Sequence, residues 1–171
     1  VGDTTVQKAL GPAEPDMKGK KIWVAVTAHS PLSRIDPLIN VVKAYNDFVC
    51  DVCIHVYVDY ESQNCVEDLA KILETVSNKT IEIKVASPEY ENWYLTWAHK
   101  TDLALAVLNR VADFYIYQEN DMVLLWENFR YWVRWKPRLA ELGLEPGFVR
   151  YELFENKKAK TPTSKTSATN L

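Results

Sequence analysis

Residues Ile22–Thr27 read IWVAVT, a continuous apolar run without a charged side chain. Such a run is typical of a β-strand that is buried on both faces, as in a parallel sheet. Three further β-rich stretches follow it: Val52–Val58, Ile81–Val85 and Asp113–Tyr117. The four stretches begin about 30 residues apart, which is the length of a strand–helix–strand unit. The spacing predicts an α/β domain, Rossmann-like, with a mostly parallel central sheet flanked by helices.

Local patterns also predict how two of the elements are oriented. Ile81–Val85 (IEIKV) alternates apolar and polar side chains, so this strand is expected near an edge of the sheet. Residues 101–111 are expected to form a helix. Its core-facing side chains are predicted from their helical spacing to be Ala104, Val107, Leu108 and Val111.

The composition is that of one folded domain. The chain has 171 residues, of which 47% are hydrophobic, so it can bury a sizeable core. We expect the domain to span residues 20–155, between a flexible N-terminal segment (1–19) and a flexible tail or linker (156–171). The tail could lead to an additional domain beyond the C-terminus.

Charge and hydropathy exclude two kinds of partner. The net charge is −3 and there is no basic stripe, which argues against nucleic acid as the main partner. No apolar run approaches the roughly 18 residues that a membrane-spanning helix needs. The compartment stays open between the cytoplasm and a Golgi or secretory lumen, the latter if a membrane anchor was removed.

The three cysteines do not indicate a disulfide framework, because they are few and odd in number. Cys50 and Cys53 have the spacing of a redox or metal motif. A zinc site would need further ligands, and none is evident in the sequence. We therefore expect structural cysteines, and a core or edge position for His55.

Ligands of parallel sheets bind beyond the carboxyl ends of the strands. That rule directs attention to the loops at 28–35, 59–63, 86–100 and 118–124. No glycine lies between residues 20 and 142. This excludes the glycine-rich loops that approach phosphate in dinucleotide-binding and P-loop proteins. A bound phosphate would have to be neutralised in another way, for example by a divalent cation held by carboxylates.

Glu119 and Asp121 supply such carboxylates directly after the fourth predicted strand. They are separated by one residue, so an extended backbone can direct both toward one site. Hard oxygen ligands suit Mg²⁺ or Mn²⁺. The alternative interpretation is that the two acids cap the following helix, where its dipole favours negative charge.

The strand followed by Glu119-Asn120-Asp121 resembles the DxD element of GT-A fold glycosyltransferases, with Asn120 in place of the middle acid. The resemblance covers residues 20–152 by the order of elements. It implies transfer of a sugar from a nucleotide-sugar donor, a UDP- or GDP-sugar, to a glycan or other hydroxyl acceptor. It also implies Mn²⁺ or Mg²⁺ as cofactor, held by Asp121 and Glu119, with Asp121 essential for catalysis.

The same resemblance suggests roles for other residues at this edge. Asp59 would contact the base or ribose, unless it only forms the turn after the second strand. His99 and Lys100 would flank the diphosphate, unless they form a solvated first helical turn. Glu152 would be the general base of an inverting transfer. The remaining predicted contacts to the nucleotide-sugar are Thr27, Ala28, His29 and Asn120.

Two other functions are compatible with the same predicted sheet. One is a non-catalytic nucleotide-sugar-binding or interaction module of a larger multidomain protein. The other is a phosphotransfer or hydrolase domain of a different Rossmann-like family. The haloacid dehalogenase type would need an Asp pair just after the first strand, where this chain has Thr27-Ala28-His29.

Overall fold

The computed structural model of the protein describes residues 12, 14–90 and 92–147. The strands in this part of the chain are β1 (Lys21–Ala28), β2 (Asp51–Val58), β3 (Thr80–Val85) and β4 (Phe114–Glu119). The α-helices are α1 (Ile35–Ala44), α2 (Val66–Val76), α3 (Lys100–Leu108) and α4 (Trp126–Ala140). The strands form one all-parallel sheet in the order β3-β2-β1-β4. The predicted α/β class, with a parallel sheet flanked by helices, is confirmed.

β1 lies inside the sheet, which explains its uninterrupted apolar sequence. It pairs with β2 on one side and with β4 on the other. Every residue from Ile22 to Ala28 is buried. Successive side chains of a strand point to opposite faces, so a strand can bury all of them only when both faces are covered.

The two faces of the sheet are covered unequally. On one face, Val24 of β1 and its neighbours pack against α1, α2 and α4 in the larger core. On the other face, Trp23 and Ala25 pack against residues of α3 in a much smaller cluster. One helix therefore covers this face, whereas three helices cover the opposite face. This second face is called the α3 face below.

The predicted inward face of the third helix is wrong. Ala106 is the buried residue of α3, with Leu103 packed beside it, whereas the side chains of Val107 and Leu108 are exposed. Ala104 and Val111 are exposed as well. Apolar residues occur on every side of this helix, so spacing alone could not choose which side meets the sheet.

The edge position predicted for the third strand is confirmed, because β3 is the first strand in the sheet order. Its exposed residues include Glu82, as the alternation indicated. Within the predicted N-terminal segment, Met17 is buried in the larger core. The predicted tail at 156–171 lies outside the described residues.

We expect Ile54→Ala to lower the free energy of unfolding by about 2–5 kcal/mol, because it removes buried apolar volume and leaves a cavity. Ile54 is 0% exposed in the larger core. The matched control is Leu108→Ala on α3, where the side chain is 77% exposed and a change within about 0.5 kcal/mol is expected. Urea denaturation followed by circular dichroism measures both. A loss at Leu108 equal to that at Ile54 would contradict the orientation of α3.

Candidate functional site

The carboxyl edge of the sheet brings the ends of β1, β2 and β4 together. Thr27 pairs with Tyr57 of β2 and with Glu119 of β4, so these residues form one row across the sheet. The Asn120 N–H donates a 3.0 Å hydrogen bond to the carbonyl oxygen of Thr27. This bond attaches the turn after β4 to the end of β1. The row therefore lies at the edge where the sequence places the nucleotide.

The two predicted metal ligands lie at the end of β4 and in the turn that follows it. Glu119 is the last residue of β4 and is half-buried, whereas Asp121 is exposed. The next helix, α4, begins only at Trp126, and its N-cap residue is Leu125. The alternative interpretation that the two acids cap this helix is therefore wrong. Carboxylate oxygens in such a turn are donors that Mg²⁺ and Mn²⁺ prefer.

Asp59 is a buried carboxylate that joins the loops after β1 and β2. Asp59 is only 2% exposed to solvent. One carboxylate oxygen, Oδ2, accepts a 2.7 Å hydrogen bond from the Ser30 N–H. The other, Oδ1, accepts hydrogen bonds from the Ser62 N–H and from the Ser62 hydroxyl. Asp59 is thereby the N-cap of the 3-10 turn at Tyr60–Cys65. Both oxygens are engaged within the chain.

His29 is held beside this carboxylate but still reaches solvent. Its Nδ1 lies 2.7 Å from Asp59 Oδ2, and its side chain is 56% exposed. Burial alone would raise the pKa of Asp59. The hydrogen bonds from Ser62 and Ser30, together with His29, outweigh burial and lower that pKa below its ordinary value. Asp59 is therefore ionised at neutral pH and orients the His29 ring.

The turn after β1 has a strained backbone at Ser30, where φ is 44°. This left-handed conformation is uncommon for residues other than glycine. The hydrogen bond from its N–H to Asp59 holds it in place. The Asp59 carboxylate thus fixes both the backbone and the imidazole of this loop.

His99 packs under the edge between two tyrosines. Its ring stacks on Tyr117 with centroids 4.1 Å apart, and it meets the Tyr57 ring edge-on at 6.3 Å. The Tyr117 hydroxyl lies 3.4 Å from the Thr27 hydroxyl. Burial is the main reason that the pKa of His99 is lowered. A neutral, buried His99 cannot supply the positive charge that the sequence suggests for a diphosphate.

Lys100, by contrast, is exposed at the start of α3. Its Nζ lies 3.9 Å from the centroid of the Trp97 ring, a cation–π contact that orients the ammonium group. Ala28 is fully buried in the larger core, so its side chain does not reach the edge. The predicted general base Glu152 lies outside the described residues.

Sequence reasoning did not select Tyr57, Tyr117, Ser30 or Ser62. The two tyrosines were visible only as β-rich residues, and their approach to His99 depends on strand order and register. Ser30 contributes its backbone N–H group, which carries no residue-type signal, and Ser62 contributes both its N–H and its hydroxyl. An acid directly after a buried strand was the one signal available for this cluster.

Comparisons with known proteins supply no relative. No protein-family model matches this chain, and no curated protein matches its sequence. Among the described residues, no helix has both the length and the apolar character needed to cross a membrane.

Replacing Asp59 with Asn should lower the free energy of unfolding by about 1–3 kcal/mol at neutral pH, because hydrogen bonds to a charged carboxylate weaken. The pKa of Asp59 is lower in the folded protein than its ordinary value of 3.8. Its stabilising contribution is therefore present above that pH and is lost as the pH falls through the folded-state pKa. The difference between wild type and D59N should shrink in acid.

Urea denaturation, repeated from neutral pH down to below the ordinary Asp pKa of 3.8, measures the difference in unfolding free energy between wild type and D59N. The control is Asp68→Asn, whose side chain is 71% exposed and whose replacement should change stability by less than about 0.5 kcal/mol. A deficit of D59N that is constant at every pH would contradict the assignment of Asp59 as an ionised anchor.

Proposed function

We propose that this domain binds a nucleoside-diphosphate sugar with Mn²⁺ or Mg²⁺ at the carboxyl edge of its sheet, and transfers the sugar to a hydroxyl acceptor. The main support is the Glu119-Asn120-Asp121 turn. It lies at the carboxyl end of β4, beside the inner strand β1, and is bonded to Thr27 through the Asn120 N–H. Open α/β sheets bind ligands in this position. The donor is a UDP- or GDP-sugar, and the acceptor is a glycan or another hydroxyl compound.

The negative charge at this edge is the reason to expect a cation there. A diphosphate brings negative charge to an edge whose loops contain no glycine, so backbone N–H groups are poorly placed to approach it. Glu119 and Asp121 add further negative charge, which would repel the donor unless a cation lies between them. A divalent cation there supplies the charge that stabilises the departing diphosphate.

Other residues near this edge would bind the phosphates and the nucleoside or position the residues that do. Lys100 offers an exposed ammonium group for the phosphates. His29 presents a solvent-accessible ring for the nucleoside, and Asp59 positions that ring rather than contacting the donor itself. His99 and Tyr117 form a stacked floor beneath Thr27. This assignment moves Asp59 and His99 from direct ligands to positioning residues.

The transfer itself breaks the bond between the anomeric carbon and the phosphate oxygen, and forms a bond from that carbon to the acceptor oxygen. The acceptor hydroxyl gives up its proton, and the nucleoside diphosphate leaves with the bonding electron pair. Asp121 acts by retaining the donor in the orientation that exposes the anomeric carbon. Glu152 stays a prediction for the proton acceptor.

We expect a nucleotide-sugar to raise the melting temperature only when Mn²⁺ is present. UDP-, GDP-, CMP- and dTDP-sugars are compared with and without the ion. At about 100 times Kd the shift should be roughly 5–10 °C. Asp121→Asn should abolish the shift, measured against the melting temperature of that variant alone. Glu127→Gln, an exposed acid in the first turn of α4, is the matched control and should keep the shift.

Product analysis then separates an enzyme from a binding module. Release of nucleoside diphosphate by the wild-type chain, and its loss in D121N, supports glycosyl transfer. Donor binding without any release supports the non-catalytic module instead. Equal donor binding by wild type and D121N, or no binding by either, overturns the proposal.

A further inference from the structure

A second group of ligand-type side chains lies on the α3 face, away from the carboxyl edge. Cys53 and His55 are two residues apart on β2, so their side chains point to the same face of the sheet. His55 pairs with Glu82 of β3. One ligand atom from each of these three residues lies within 4.8 Å of the other two. Thiol, imidazole and carboxylate are thus brought together by the register of two strands.

The distances between these ligand atoms are close to those around a bound zinc ion, so metal binding would need little movement of the side chains. Cys53 Sγ lies 3.4 Å from His55 Nε2. A sulfur and a nitrogen on one tetrahedral zinc ion are about 3.6 Å apart. The Glu82 carboxylate lies 3.1 Å from the other ring nitrogen of His55, and its side chain is 53% exposed. Glu82 therefore has room to turn toward an ion beside Cys53.

His55 is buried, and one of its two ring nitrogens, Nδ1, lacks a hydrogen bond to any residue that the structure describes. It is only 7% exposed. Its Nδ1 approaches Glu82 without hydrogen-bond geometry and has no hydrogen-bond partner among the described residues. Buried polar nitrogens without a partner are uncommon and call for an explanation. The Trp23 ring stacks on the imidazole at 4.8 Å, so the ring is fixed between Cys53 and Glu82.

The group opens onto a cavity. A space of about 510 Å³ lies between α3 and the sheet, with Cys53, His55 and Trp23 on the sheet side. Asp102 and Ala106 of α3 form part of the opposite wall. An ion held by three protein ligands here would direct its fourth position into this space. Catalytic zinc sites have three protein ligands and one open position in the same way.

Neighbouring charges do not oppose a cation. The nearest lysine on this face, Lys84, is paired with Asp102 at 2.8 Å. Asp102 also accepts a 2.7 Å hydrogen bond from the Tyr57 hydroxyl. The lysine charge is thus balanced by a carboxylate that is itself held in place. The Glu82 carboxylate, 3.1 Å from His55, favours a cation at this position.

We propose that Cys53, His55 and Glu82 bind a zinc ion at the wall of this cavity, with one coordination position open to it. Zinc accepts sulfur, nitrogen and oxygen ligands, whereas Mg²⁺ and Mn²⁺ favour oxygen. This site is separate from the proposed donor site at the carboxyl edge and does not depend on it.

Titration with Co²⁺, which replaces zinc in tetrahedral sites, tests the proposal on reduced, chelator-treated protein. Wild type should bind one equivalent and develop a thiolate-to-Co²⁺ charge-transfer band that zinc abolishes. Cys53→Ser should lose this band. Cys65→Ser, on the 3-10 turn before α2, is the matched control and should retain it.

Glu82→Gln keeps the proposal testable if C53S folds poorly, since Glu82 is largely exposed. It should weaken zinc binding at least about tenfold in calorimetry, the lower end of the loss seen when residues that only orient a ligand are changed. Zinc should also raise the melting temperature of wild type but not of E82Q. No thiolate band in wild type, a band that persists in C53S, or unchanged affinity in E82Q would each overturn the proposal.

Discussion

The pairing of β1 with β2 and β4 is the constraint on which the other features depend. Because paired residues of a parallel sheet share a face, the β1–β2 and β1–β4 registers put Thr27, Tyr57 and Glu119 in one row. A shift of one residue would reverse every side chain between the two faces. The apolar run of β1 keeps this strand inside the sheet, and its hydrogen-bonded registers with β2 and β4 determine which residues share a row. Burial of Ile22–Ala28 thus holds together the strand ends that form the carboxyl-edge site.

The sequence was sufficient for the strands, because a doubly buried strand requires an apolar run that is visible without a structure. It was not sufficient for α3. There, Leu103, Ala106 and Leu108 are all apolar, yet only the first two meet the sheet. Which side of an apolar helix is buried depends on how much of the sheet the helix covers, and this is a tertiary property.

The same distinction separates the predicted from the unpredicted parts of the sites. The turn at 119–121 follows β4 directly in sequence, so its position was predictable from the strand alone. His55 and Glu82 are far apart in the chain and meet only because β2 pairs with β3 in one register. The hydrogen bond from the Ser30 N–H to Asp59 depends on two loops that meet in space. Local sequence carries no record of either pairing.

The unequal covering of the sheet explains why polar chemistry collects on one face. Three helices seal the face that contains Val24, and its inward side chains are almost all apolar. A single helix covers the other face, and it leaves a cavity beside Cys53 and His55 that is open to solvent. Lys84 and Asp102 are tolerated there because both side chains keep contact with water and pair with each other at 2.8 Å. A fully covered α3 face would have to replace these residues with apolar ones or leave them unsatisfied at a cost of about 1–3 kcal/mol each.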